Sequence, residues 1–171
     1  MTTAAERGQS SPAAEAARNY FGAIARQDLD SALSFWKEGG IDYLAPVGEL
    51  RAPEGMREYF TGLFASFPDF RYEVLTMVAE GDQAAIRWRA SGTFTGKPYT
   101  GVIANGKSMV AEGCDMLRVD GDGLIVHNDS YWDDSATARQ IGLLPPRGSN
   151  AERVLTSLFN LKTRLTRRRK R

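Results

Sequence analysis

Apolar residues first recur at helical spacing: Ala13, Ala16, Ala17, Tyr20, Phe21 and Ile24 fall three and four apart, the period of one buried helix face. Ser11-Pro12 stands just ahead of them as cap and first-turn residue. Leu29, Ala32, Leu33 and Trp36 repeat the spacing after Asp28, and Gly39-Gly40 reads as the stop, with a short strand following over 41–45. Met56, Tyr59, Phe60, Leu63, Phe64 and Phe67 predict a third amphipathic helix, closed by Pro68, since proline cannot continue a helix.

From Phe70 onward the pattern changes to strands punctuated by turn residues. Segments near 71–79, 84–94, 108–119 and 124–132 are bounded by Glu80-Gly81-Asp82, Gly96-Lys97-Pro98, Asn105-Gly106 and Asp120-Gly121-Asp122-Gly123, which predicts antiparallel neighbours joined by hairpins. Helices first and long strands afterwards point to an α+β fold: a curved, mostly antiparallel sheet wrapped on N-terminal helices, with a pocket where the helices close it. Beyond Pro145-Pro146-Arg147-Gly148, the residues Val154, Leu158, Leu161 and Leu165, with Leu155 and Phe159 beside them, predict one more amphipathic helix. The chain thus divides into a small, polar lead-in over 1–11, read as disordered, an α+β domain over 12–146, and a basic amphipathic helix and tail over 147–171.

Length and composition agree with one domain: 171 residues, 42% hydrophobic and 25% charged, are enough to bury a core without staples. A single cysteine, Cys114, and a single histidine, His127, are too few for an internal disulfide or a zinc site of the usual ligands. Neither metal nor cofactor is expected, and a reducing, cytoplasmic setting fits. The first 15 residues have no apolar core of signal-peptide length, and nowhere do about 18 apolar residues run together as a membrane span needs.

The net charge of +1 hides an asymmetry. Residues 149–171 hold eight Lys/Arg against Glu152 alone, leaving 14 basic and 20 acidic residues upstream. A body of about −6 makes nucleic-acid binding by the main domain improbable, because phosphate contacts need a positive surface. The tail helix has three readings: packing on the body, lying on an anionic membrane surface, or docking to an acidic partner. Packing or partner binding is preferred, because RRRKR follows the helix instead of lining one face.

Side chains alternate faces along a strand, so parity decides which residues share a pocket. Over 108–119 the odd positions carry Met109, Ala111, Gly113, Asp115, Leu117 and Val119, which sets Asp115 on the more apolar face. Over 124–132 both faces mix apolar and polar groups: Ile125, His127, Asp129 and Tyr131 on one, Asn128, Ser130 and Trp132 on the other. Regular antiparallel pairing across the 120–123 turn sets Asp115 opposite Asp129. Two carboxylates so close cannot both ionise comfortably in a dry pocket, so one would be available as general acid or base near neutral pH. Equally, one or both could face solvent as ordinary edge charges.

GCDMLRVDGDGLIVHND (Gly113 to Asp129), FPDFRYEV (Phe67 to Val74), AIRWRASGTFTG (Ala85 to Gly96) and ARQIGLLP (Ala138 to Pro145) resemble runs of the SnoaL-like polyketide cyclases. That family belongs to the nuclear transport factor 2-like superfamily of cone-shaped α+β barrels, shared with ketosteroid isomerases and limonene epoxide hydrolases. The resemblance spans roughly residues 13–145. It implies a fold that often pairs as a homodimer through the sheet. It also implies intramolecular aldol ring closure of a polyketide-like substrate without metal or Schiff base, with the acid/base aspartate at Asp129. The partner position, often histidine in the family, falls on Asp115. The expected tryptophan is Asn128 here, and an extra residue precedes Trp132-Asp133. The alternatives within the same fold are a non-catalytic small-ligand or interaction module and an epoxide hydrolase or ketosteroid isomerase-like enzyme.

In this reading Asp129 takes the proton α to a carbonyl, with Tyr131, Tyr43 and Asn128 as donors to the developing oxyanion. Tyr131 shares Asp129's parity and ranks first, whereas Asn128 needs a bulge to reach that face. Tyr20, Tyr59, Phe60, Trp88 and Trp132, among the other aromatic residues, either line a pocket for a small hydrophobic, even polycyclic, ligand or simply fill the core, which helical spacing alone would explain. His127 is read as a rim residue, because two positions along a strand separate it from Asp129 by about 6–7 Å. Arg87 and Arg89 are read as a solvated outer face, and Cys114 as inert.

Overall fold

A computed structural model describes residues 11–168. Helix α1 (Pro12–Ala25) begins where Ser11 Oγ accepts from the Ala14 N–H at 3.2 Å, the capping bond its sequence predicts. Ala13, Ala16, Ala17, Tyr20, Phe21 and Ile24 are all buried, so the helical period marks the core face. Helix α2 (Leu29–Ser34) follows, then strand β1 (Trp36–Leu44), strand β2 (Gly48–Arg51) and helix α3 (Glu54–Ser66). The long strands are β3 (Arg71–Glu80), β4 (Gln83–Thr93), β5 (Ser108–Val119) and β6 (Ile125–Trp132), and helices α4 (Asp134–Gln140) and α5 (Asn150–Arg168) close the chain.

The six strands form one sheet in the order β2-β1-β6-β5-β4-β3, antiparallel except where β1 runs parallel to β6. Helix α1 packs against β3, β4 and β5. Phe67, at the C-terminal end of α3, stacks on Phe94 with ring centroids 5.4 Å apart. The result is the α+β architecture read from the sequence: one curved sheet around a helical filling.

Several boundaries differ from expectation. Trp36 opens β1 instead of ending α2, and Gly39-Gly40 lies inside the strand. Gly39 adopts φ +76°, and a Cβ on Gly40 would come within 3.0–3.2 Å of Lys37 O, Trp36 and Ile125 O. These glycines permit an irregular stretch in which β1 advances from Trp36 to Ile41 while β6 advances only from Ile125 to His127. The short elements β2 and α4 carry too few periodic residues for sequence reading. The expected lead-in over 1–11 falls, apart from Ser11, outside the described residues, as do the last three residues of RRRKR.

The expected packing of the C-terminal helix on the body is corrected. Val154, Leu155, Leu158, Phe159, Leu161 and Leu165 are 53–68% exposed. The helix joins the body near its N-terminus, where Glu152 approaches Arg139 of α4 at 3.5 Å. None of the described helices is long and apolar enough to cross a membrane.

Candidate active site

The register of β6 decides which of its residues face inward. Val119 pairs with Ile125, but Arg118 pairs with His127, so one additional residue sits on β6 between these pairs. Such a bulge reverses the alternation beyond it. Ile125 is buried, and the next fully buried positions are Asn128 and Ser130. The expected juxtaposition of Asp115 and Asp129 is therefore corrected: Asp115 stands opposite Ser130, and Asp129 opposite Met116.

Asp129 lies on the outer face of the sheet, 35% exposed at its side chain, with His127 Nε2 at 3.2 Å from its Oδ1. The expected separation of those two side chains is also corrected, because both lean along the strand to meet. Tyr131 is 51% exposed on that face and meets Tyr43 edge-on at 6.2 Å. Neither tyrosine lines the cavity, so neither is placed to serve an oxyanion there. Cys114 is likewise exposed, and Arg87 and Arg89 share Glu112 in exposed ion pairs.

The inner face holds a cavity of about 240 Å³. Tyr20, Tyr59, Phe60, Trp88 and Trp132 line it, as do Asp42, Asp115, Ser130 and Tyr72. Pro46, Val47 and Thr100, exposed to solvent, mark its rim. Five of the seven residues read as substrate-binding are thus brought together; Tyr43 is not. Asn128 lies beneath, 1% exposed, and holds the floor.

That floor is a buried acid pair. Asp42 on β1 is 1% exposed and Asp115 on β5 is 4% exposed. Between them Asn128 Nδ2 donates to Asp42 Oδ1 at 2.9 Å and to Asp115 Oδ2 at 3.1 Å. Trp88 Nε1 donates to the other oxygen, Asp115 Oδ1, at 2.8 Å. Asp42 is the partner that sequence reading missed. Its signal was present: it shares parity with Leu44 in a short strand, and parallel pairing with β6 sets it beside Asn128.

Burial pushes the Asp42 carboxyl up to about 8, helped by the Asp115 charge and opposed by the Asn128 hydrogen bond. Burial also raises Asp115, against the hydrogen bonds of Ser130, Trp88 and Asn128. Near neutral pH the pair favours one proton, held by Asp42, with Asp115, which accepts hydrogen bonds from both Trp88 and Asn128, as the carboxylate. Two buried polar atoms here lack a partner among the described residues: Asn128 Oδ1 and the Tyr72 hydroxyl. A buried unpaired group costs about 1–3 kcal/mol; Tyr72 lines the cavity, but its hydroxyl is itself enclosed.

Gly113 explains why a glycine-x-aspartate strand suits this site. It faces Trp88 across β4 and β5, and a Cβ there would come within 2.3 Å of Trp88 Cζ2 and 2.6 Å of Tyr131 O. Only a bare backbone lets the indole lie across β5 and reach Asp115. Gly113→Ala is expected to lower stability by about 1–3 kcal/mol, the usual cost of overpacking. It should also shift Trp88 fluorescence as the indole leaves its carboxylate. A variant with wild-type stability and emission would show that the indole has another seat.

Comparisons with known proteins follow the same outline. The profile of the family described as SnoaL-like polyketide cyclase matches residues 14–141. Among solved structures, AclR from Streptomyces galilaeus, provisionally assigned as a hydroxylase, superposes with a TM-score of 0.69 at 22% identity, over 92% of this chain and 96% of its own. IdmH from Streptomyces antibioticus, provisionally assigned as a polyketide cyclase, gives 0.66 at 24% identity, over 77% of this chain and 98% of its own. TsrD from Streptomyces laurentii gives 0.67 at 22% identity, over 78% and 96%. At these identities the likeness establishes the fold. No curated protein matches the chain.

Proposed function

The chain belongs to the SnoaL-like polyketide cyclase family, and from that membership we propose that its cavity closes a ring in a polyketide-like substrate by intramolecular aldol addition, using cofactor-independent acid/base catalysis by Asp115 and Asp42. The observation that carries this reading is the Asn128 amide bonded to both buried carboxylates. It fixes a base and an acid side by side in an apolar cavity.

In the forward step the Asp115 carboxylate removes a proton α to a carbonyl. The resulting enolate forms a carbon–carbon bond with a second carbonyl of the same molecule, and the carbonyl π electrons move onto its oxygen. Asp42, carrying its proton near neutral pH, donates it to that alkoxide. Exchange with water as product leaves restores the starting protonation. Aromatic walls from Tyr20, Trp88 and Trp132 hold both reacting ends in one folded pose, and such pre-orientation can be worth on the order of 7–11 kcal/mol.

The first half-step can be tested before the natural substrate is known. In D2O, the wild-type protein is expected to speed deuterium incorporation at the activated carbon of an aromatic 1,3-dicarbonyl compound, followed by proton NMR. Ring-closed product should appear when a second carbonyl lies within reach. If dicarbonyl, ketosteroid and epoxide compounds are all bound and recovered without exchange or conversion, the cavity is a binding module and the proposal fails.

A further inference from the structure

Helix α5 is unlike every other helix in the fold, because its apolar side chains face solvent instead of the core. At 3.6 residues per turn, Leu161, Val154, Leu165, Leu158, Leu155 and Phe159 form one continuous stripe about 160° wide. All six are exposed. Arg153, Arg164 and Arg167 lie on the opposite side, about 120–180° around from Leu158. Lys162 is set within the stripe, where its long stem can follow apolar surface while the ammonium reaches water.

Charge is equally one-sided. Over 149–171 the only acidic residue is Glu152, and its carboxylate is already engaged by the Gly148 N–H at 2.6 Å and Arg139 at 3.5 Å. Two α5 helices brought together would set like charges side by side, which disfavours pairing of this helix with its own copy. An apolar stripe opposite a cationic face, on a helix of low mean hydropathy, is the arrangement that lies in the plane of a lipid interface. The basic run that begins in the last turn of the helix, Arg167 to Arg171, adds attraction to anionic headgroups.

We propose that α5 docks the protein on the surface of an anionic lipid bilayer, its apolar stripe inserted at the headgroup boundary. The Arg139–Glu152 contact ties the start of α5 to α4, which contributes Thr137 and Ala138 to the cavity wall. Docking therefore brings the cavity close to a reservoir of hydrophobic molecules. This attachment does not depend on the reaction proposed above.

The test is vesicle co-sedimentation of the full chain. Vesicles of phosphatidylcholine with one third phosphatidylglycerol are expected to bind at least tenfold more tightly than pure phosphatidylcholine, with binding weakened by added salt. Leu158→Asp/Phe159→Asp should lose at least tenfold of that binding, with far-ultraviolet circular dichroism and thermal melting reporting an intact body. Equal binding of wild type and this variant would overturn the proposal, as would no preference for the anionic vesicles. Soluble polyglutamate bound as tightly as vesicles would point to an acidic partner instead. Self-association in sedimentation velocity that the same variant abolishes would assign the stripe to a second copy. Either result rejects the bilayer.

Discussion

Asp115→Asn is expected to slow proton abstraction and ring closure by about 10²–10⁴-fold, the usual contribution of a positioned general base. The substitution is nearly isosteric, but its single amide oxygen can accept from only one of the two donors, Trp88 Nε1 and Asn128 Nδ2, so the melting temperature should fall modestly while turnover falls far more. Asp129→Asn provides the counterpart. Asp129 lies on the outer face beside His127, and its loss should leave turnover within a few-fold of wild type. The two variants therefore separate a mechanism built on β5 and β1 from one built on the outer face of β6. An inactive Asp129→Asn protein with an active Asp115→Asn protein would reverse the assignment of the site. For wild type, kcat should fall as pH rises through about 8, where Asp42 loses the proton it donates, while Asp42→Asn should be slow at every pH.

Stability should carry the same signature. A carboxyl near 4 in the unfolded chain and about 8 when folded binds an additional proton in the native state across that window. Stability then falls as pH rises from about 4 to about 8, by at most about 1.4 kcal/mol per unit, and levels off above. Asp115, also raised by burial, acts in the same direction. Urea midpoints at pH 5, 7 and 9 should decline in that order for wild type. Asp42→Asn, which cannot ionise, should flatten most of the decline and exceed wild type at pH 9. A variant that follows the wild-type curve would place the titration elsewhere.

The parts of this molecule that follow one rule over many residues were legible in the sequence. Six apolar residues at helical spacing found the buried face of α1, and glycine-containing turns found the ends of β3 to β6. Parity along β5 correctly set Asp115 on the buried face, because no irregularity interrupts that strand's alternation. Tyr20 on α1, Tyr59 and Phe60 on α3, Trp88 on β4 and Trp132 on β6 also reach the cavity wall, whereas Tyr43 on β1 does not.

What sequence could not supply was the register of β6. Its two faces carry nearly equal mixtures of apolar and polar residues, so no hydrophobic contrast betrays the bulge at 126–127. From that one irregularity came the misplacement of Asp129 and Tyr131, while Asn128, ranked below Tyr131 because it needs a bulge, gains its inward parity from that bulge. Asp42 escaped for a different reason. It sits in the regular end of a strand whose beginning is distorted at Gly39-Gly40, and its importance appears only once β1 is known to run parallel to β6.

The bulge also bears on how the chain avoids folding wrongly. Straightened, β6 would slip by one residue and turn His127, Asp129 and Tyr131 inward, sending Asn128, Ser130 and Trp132 out to water. The slipped sheet would confine a third carboxylate with Asp42 and Asp115 and remove the amide that now lies between those two. Mispairing is thus rejected by electrostatic repulsion as well as by lost apolar contact, and the acids of the cavity floor act as proofreaders of strand alignment while the sheet assembles.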